Sequence, residues 1–150
     1  MKVLCNAVVS NCEPLIIPRN CRKAICDNNI VVSSEWYTID STLSGYSISK
    51  GKEYDVYAIL IYANQIRYLL LDDYGAPGFF PAQLFLISES TILSDWRIAE
   101  YPLSSQPLYL IGFPAITQTY NDLVNLIEGK KDAIVSLLEY RKFITHYSAF

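Results

Sequence analysis

The stretch EYDVYAILIYANQIRYLLLDD, residues 53–73, decides the fold class. In an extended chain, Val56, Ala58, Leu60 and Tyr62 fall on one face, and Tyr57, Ile59 and Ile61 on the other. Both faces are apolar, which suits a strand covered on both sides. Asn64-Gln65 is a short polar break, and IRYLLLDD follows as the next strand. Residues 54–72 therefore predict an antiparallel hairpin. YGAPG is then a turn, and FFPAQLFLIS, residues 79–88, predicts a third strand. Pro81 has no N–H to give a ladder, so it must lie at a sheet edge, a bulge or a strand start.

Working outward, EWYTID (35–40) and GYSISKGKEYDVYAILIY (45–62) are also rich in β-formers. Val3 to Val9 and Ile30-Val31-Val32 are shorter β-type runs, and Pro14 and Pro18 break the chain between them. Downstream, IAEYPLSSQPLYLIGFPAI (98–116) holds three prolines and predicts a loop with one short strand at 108–111. Helical periodicity begins at Thr119, where Tyr120, Leu123, Leu126 and Ile127 share a face. Gly129 interrupts it. A second helix is expected from about Lys130 to Ile144, with Ile134, Leu137, Leu138 and Arg141 at helical intervals. A meander this small must curl or pack to hide both faces. The expectation is an α+β protein with a small antiparallel SH3-like β-barrel or meander, about 36–112. Two C-terminal helices follow, about 119–144, within a single domain 1–150.

The longest notable apolar stretch, Val56–Ala63, has eight residues, far too few to span a bilayer. The start, MKVLCN, reaches a polar residue too soon for a signal-peptide core. A cytoplasmic protein with no membrane partner is expected. Residues 51–100 carry seven acidic and three basic side chains, whereas the flanking thirds are nearly balanced. Such a field repels nucleic acid and attracts basic partners.

Catalytic signals are sparse. Cys5, Cys12, Cys21 and Cys26 are separated by six, eight and four residues, without the two-residue spacing of a zinc knuckle. Free thiols are expected, with a four-cysteine zinc site or disulfides as alternatives. The one histidine, His146, lies beside the C-terminus. No nucleophile elbow, phosphate loop, metalloprotease motif or dinucleotide fingerprint occurs. No enzyme activity, catalytic residue, cofactor or metal is expected. Asp72 and Asp73 are the one adjacent acid pair. Neighbours on a strand point to opposite faces, and aspartates before a Gly/Pro turn commonly brace it through backbone N–H groups. Twelve tyrosines and two tryptophans exceed what one core of this size would hide, which suggests a recognition surface.

GFFPAQLFLI resembles the ending of SH3 domains at Gly78, Phe80, Pro81 and Ala82, with Phe85 one place beyond the family's aromatic. The Ala-Leu-Tyr-Asp-Tyr opening and the groove tryptophan of that family are missing, so recognition of PxxP peptides does not carry over. A wider set of residues resembles small bacterial immunity proteins of toxin–immunity systems, including contact-dependent growth inhibition. The likeness rests on Ile48, Gly51-Lys52, Tyr54, Val56-Tyr57-Ala58-Ile59, Tyr68-Leu69-Leu70, Asp72-Asp73, Pro77, Pro81-Ala82, Leu84-Phe85, Asp95-Trp96 and Tyr120. It covers roughly residues 48–140. It implies a non-enzymatic protein that binds one cognate toxin domain and blocks it. An acidic surface suits a basic, nuclease-type toxin. Asp72, Asp73, Tyr74 and Phe79 are expected to form that surface beside the 74–78 turn, with Glu53 and Asp55. The alternative is an SH3-like regulatory or adaptor module binding a peptide or protein. A small-molecule or nucleic-acid barrel is a third reading, and the acidic middle third opposes the nucleic-acid version.

Overall fold

A computed structural model describes residues 1–8, 15–18, 36–39, 46–103 and 106–147. In chain order these form β1 (Lys2–Cys5), β2 (Leu15–Pro18), β3 (Trp36–Ile39), β4 (Glu53–Asp55), β5 (Ala58–Tyr62), β6 (Gln65–Leu71), β7 (Pro77–Pro81), β8 (Phe85–Glu89), β9 (Arg97–Pro102) and β10 (Pro107–Gly112). Helices α1 (Tyr120–Ile127) and α2 (Lys131–Tyr147) follow. All pairing is antiparallel. One sheet has the order β4-β1-β8, a second β7-β6-β5-β10-β9, and β2 pairs with β3 alone. This is the α+β class expected, strands first and two helices last. Among the described residues, the sheets β4-β1-β8 and β7-β6-β5-β10-β9 pack on each other without forming a closed barrel.

The hairpin predicted at 54–72 is present as β5 and β6, with Tyr62 opposite Gln65. Its two-residue loop, Ala63-Asn64, has φ of 53° and 59°. Positive φ at both central residues gives a turn whose twist matches the flanking strands. Both faces of the hairpin are covered, and Ala58, Leu60 and Tyr62 share a face as expected; the phase departs only at Val56 and Tyr57. Ala58, Leu60, Leu69 and Leu71 pack with the helices and with Leu15 and Ile17 of β2. Tyr68 and Leu70 pack with Val3, Cys5, Tyr54 and Phe85 of the small sheet. Val56 joins the small-sheet core, whereas Tyr57 joins Ala58 on the helix side. The alternation breaks there because the chain changes sheets. The Val56 N–H donates to the Met1 carbonyl at 3.0 Å, and the Tyr57 N–H donates to that of Leu69 at 2.9 Å. Strands that bend from one sheet into the next form the corners of packed sheets.

Two further expectations are corrected. FFPAQLFLIS is not one strand. A single 3-10 turn, Ala82–Leu84, divides it, and its halves join different sheets. Pro81 ends β7, which is an edge strand, so its missing N–H breaks no inner ladder. The supposed loop at 98–106 contains β9, which pairs with β10 and extends the larger sheet. Pro102 and Pro107 face one another at the mouth of this hairpin. They flank the ladder and do not interrupt it. Ala99, Tyr101, Leu108 and Leu110 then point into the helix-side core.

Helix α1 starts on a capping box. Thr119 Oγ1 accepts from the Asp122 N–H, and Asp122 Oδ2 accepts from the Thr119 N–H. It ends with Gly129 at φ +70°, where the Gly129 N–H donates to Leu126 O and the Lys130 N–H to Asn125 O. Leu137 of α2 is buried, and Ala133, Tyr140 and Ile144 pack against the same core. This face is rotated from the one expected, since Leu138 and Arg141 are exposed. Apolar residues occur nearly all round α2, so periodicity could not choose. Tyr140 chooses, by stacking on Phe113 with centroids 4.8 Å apart and by donating to Asp95 Oδ1 at 2.9 Å.

Cys5 is a buried free thiol, and burial raises its pKa. Cys12, Cys21, Cys26 and the Ile30–Val32 run lie outside the described residues. No described helix is long and apolar enough to cross a membrane.

Gly112 tests the unexpected β5–β10 pairing. A Cβ there would sit 2.6 Å from Ala58 Cβ and 2.9 Å from Tyr57 O. Gly112→Ala should therefore destabilise the protein by about 1–3 kcal/mol, as overpacking does. A urea midpoint equal to that of the unmodified protein would show that β10 does not lie against β5.

Candidate functional site

The two adjacent aspartates at the end of β6 do different work. Asp72 braces the turn. Its Oδ1 accepts from the Tyr74 N–H and the Ala76 N–H, both at 2.9 Å. Its backbone N–H donates to Ala76 O, and its carbonyl accepts from the Gly75 N–H. Gly75 takes φ +80°, a region where a side chain is strained. This is the turn-forming role the sequence suggests for an aspartate before Gly and Pro.

Asp73 reaches across the chain. Its Oδ1 accepts from Lys52 Nζ at 2.8 Å and from Tyr54 Oη at 2.6 Å, and its Oδ2 accepts from Ser49 Oγ at 2.5 Å. Its backbone N–H donates to Ser47 O. The carboxylate thus fastens segment 47–54 to the end of β6. The Lys52 ammonium, then the Ser49 and Tyr54 hydroxyls, hold the Asp73 pKa down to about 2. Tyr54 is pushed up to about 12, first by burial and then by its bond to this carboxylate. The Tyr54 oxygen also accepts from the Ser49 N–H at 2.7 Å.

These residues border a groove of about 260 Å³. Glu53, Asp55, Asp72 and Asp73 line it, as do Tyr57 and Arg141 of α2. Four of the six residues expected at a partner surface are therefore brought together, from two strand ends and a turn. Tyr74 stands between two lining residues, Asp73 and Gly75, and is 87% exposed. Phe79 does not belong to this surface. It is 6% exposed and packs in the helix-side core opposite Leu69. Glycine and proline before it suggested a surface turn, but β7 has already begun at Pro77 and aims Phe79 inward.

Glu53 is partly engaged, accepting from Ser88 Oγ at 2.7 Å with Lys2 Nζ 3.6 Å away. Tyr57 is pushed up to about 12 by burial and then by the negative Asp55 nearby. No local pattern marks Ser49, Lys52 or Arg141 as members of the site. Ser49 and Lys52 meet Asp73 across more than twenty residues of chain, and Arg141 arrives only when α2 packs.

Among the described residues, most of the tyrosines are internal. Tyr54, Tyr57, Tyr62, Tyr68, Tyr101 and Tyr120 are buried, shared between two cores. Among the described residues, no three His, Cys, Asp or Glu side chains are grouped to hold a metal ion. No protein-family model matches the chain, and neither curated proteins nor solved structures give a match.

The Asp73 network makes a pH-dependent prediction. A carboxylate with a lowered folded pKa stabilises the fold above its ordinary pKa, and that stabilisation is lost as pH falls towards 2. Asp73→Asn should therefore be less stable than the unmodified protein at neutral pH, and the two should converge between about pH 4 and 2. Tyr54→Phe, which removes one donor, should raise the Asp73 pKa measured by carboxyl NMR. An unchanged value would mean that the Tyr54 hydroxyl does not serve this carboxylate.

Proposed function

We propose that this chain is a non-enzymatic binding protein that receives a basic protein partner in its acidic groove. In keeping with the family resemblance, we read it as an immunity protein that neutralises a cognate toxin domain of basic, nuclease type. The observation that carries this reading is the gathering of Glu53, Asp55, Asp72 and Asp73 around one groove, with a nearly bare tyrosine at its turn.

The groove holds four carboxylates and two cations, Lys52 and Arg141. Lys52 is committed to Asp73. Asp55 makes no side-chain hydrogen bond or ion pair with a described residue. A carboxylate held out to water in this way attracts a basic surface and speeds encounter more than it deepens final affinity. Tyr74 supplies the complementary component. A large ring with few rotamers to lose gives contact area at small entropic cost, and such residues dominate interface energetics. The resemblance of residues 78–85 to the ending of SH3 domains supports a second reading, an adaptor module that takes a basic peptide in the same groove.

The test begins with the protein encoded beside this gene, purified and titrated against the chain. Under the immunity reading the two form a complex, and co-expression protects a sensitive cell. The pair Glu53→Gln with Asp55→Asn should slow association and flatten its dependence on salt. Tyr74→Ala should speed dissociation, at a cost of about 1–3 kcal/mol. No complex and no protection would remove the immunity reading. Capture of short basic peptides in place of a folded domain would favour the adaptor. Unchanged rates in both variants would move the interface elsewhere.

A further inference from the structure

Helix α2 carries a second stripe besides the one that faces the core. Leu138, Arg141, Lys142, Thr145 and His146 follow one another at intervals of three and one, the spacing of a single helical face. They line a groove of about 610 Å³, separate from the acidic one except that Arg141 borders both. The Arg141 and Lys142 side chains make no hydrogen bond or ion pair with a described residue. Leu138 stays 36% exposed beside them.

The macrodipole favours cations only within the last turn of a helix, and Arg141 and Lys142 lie before it. It accounts neither for these charges nor for Leu138 left partly in water beside them. A surface with an apolar side chain next to two cations that make no ion pair with a described residue is complementary to a segment that offers carboxylates around an apolar side chain.

We propose that this stripe is a second docking surface, which takes an acidic, leucine-type segment of a protein partner. The charge layout favours a protein over other anions. The four carboxylates of the neighbouring groove lie just past Arg141. A nucleic acid or an anionic lipid surface, being uniformly negative, meets repulsion there. A polypeptide can place acidic residues on α2 and basic ones in the acidic groove. The surface is defined by its own residues and stands whether or not the acidic groove takes a toxin.

The experiment titrates the full chain with a short capped peptide of alternating glutamate and leucine, followed by NMR. Saturating shifts should centre on residues 138–146. Lys142→Gln and Leu138→Ser, which touch this groove and not the acidic one, should each weaken binding several-fold, about tenfold together. The amide spectrum of each variant reports whether it is folded, and Lys142→Gln keeps the stem of the side chain. Absence of saturating shifts would overturn the proposal. So would equal binding of the same peptide with lysine in place of glutamate. Tighter binding of an RNA oligonucleotide or an anionic vesicle to the same stripe would overturn the assignment to a protein partner.

Discussion

Two successive backbone N–H groups, those of Val56 and Tyr57, serve two different sheets. The N–H of Val56 completes the small sheet at Met1, and the N–H of Tyr57 completes the large one at Leu69. Every buried backbone donor must find an acceptor, so this hand-over fixes how the sheets meet. It also sets the phase of the chain on each side. Tyr54 and Val56 face the small-sheet core before it, and Tyr57, Ala58 and Leu60 face the helix-side core after it. From Ala58 onward β5 is an inner strand, with β6 on one side and β10 on the other. The absent Cβ of Gly112 lets β10 approach at that point.

The candidate site hangs on the same corner. Segment 47–54 leads into it, and the end of β6 lies beside it. Asp73 joins the two with an ammonium, two hydroxyls and its own backbone N–H. A carboxylate satisfied by three donors is a fixed part of the wall. Asp55 and Tyr74 are the parts of the same surface whose side chains the fold leaves uncommitted. The residues that hold the groove in shape are thus not the ones whose side chains it leaves uncommitted.

Both faces of the central sheet are covered, and this changes the meaning of the aromatic residues. A single core would have left many tyrosines at the surface. Two cores bury six of them; one of these, Tyr54, donates its hydroxyl to Asp73, as the half-buried Tyr140 does to Asp95. Among the described residues, Tyr74 is the most exposed aromatic side chain. The candidate recognition residue is marked by exposure and not by composition.

The sequence by itself determined the element types that rest on local physics. Period-two apolarity over 58–71 specified a hairpin covered on both sides. Thr119 and Gly129 bounded α1, because caps act within a few residues of the chain. Asp72 before Gly75 and Pro77 specified a braced turn for the same reason. Tertiary structure alone decided what depends on partners distant in sequence. Strand β9 was hidden because Pro102 and Pro107 read as breakers until the ladder set them opposite each other at its mouth. The face of α2 was undetermined because apolar residues surround that helix, and only Phe113 and Asp95 select Tyr140. Phe79 looked like a surface anchor because its neighbours are turn formers, yet pairing with β6 turns it inward. Asp73 and Asp72 are adjacent and chemically identical in the sequence. What separates them is the arrival of Ser49, Lys52 and Tyr54, a contact that exists only once the two sheets have packed.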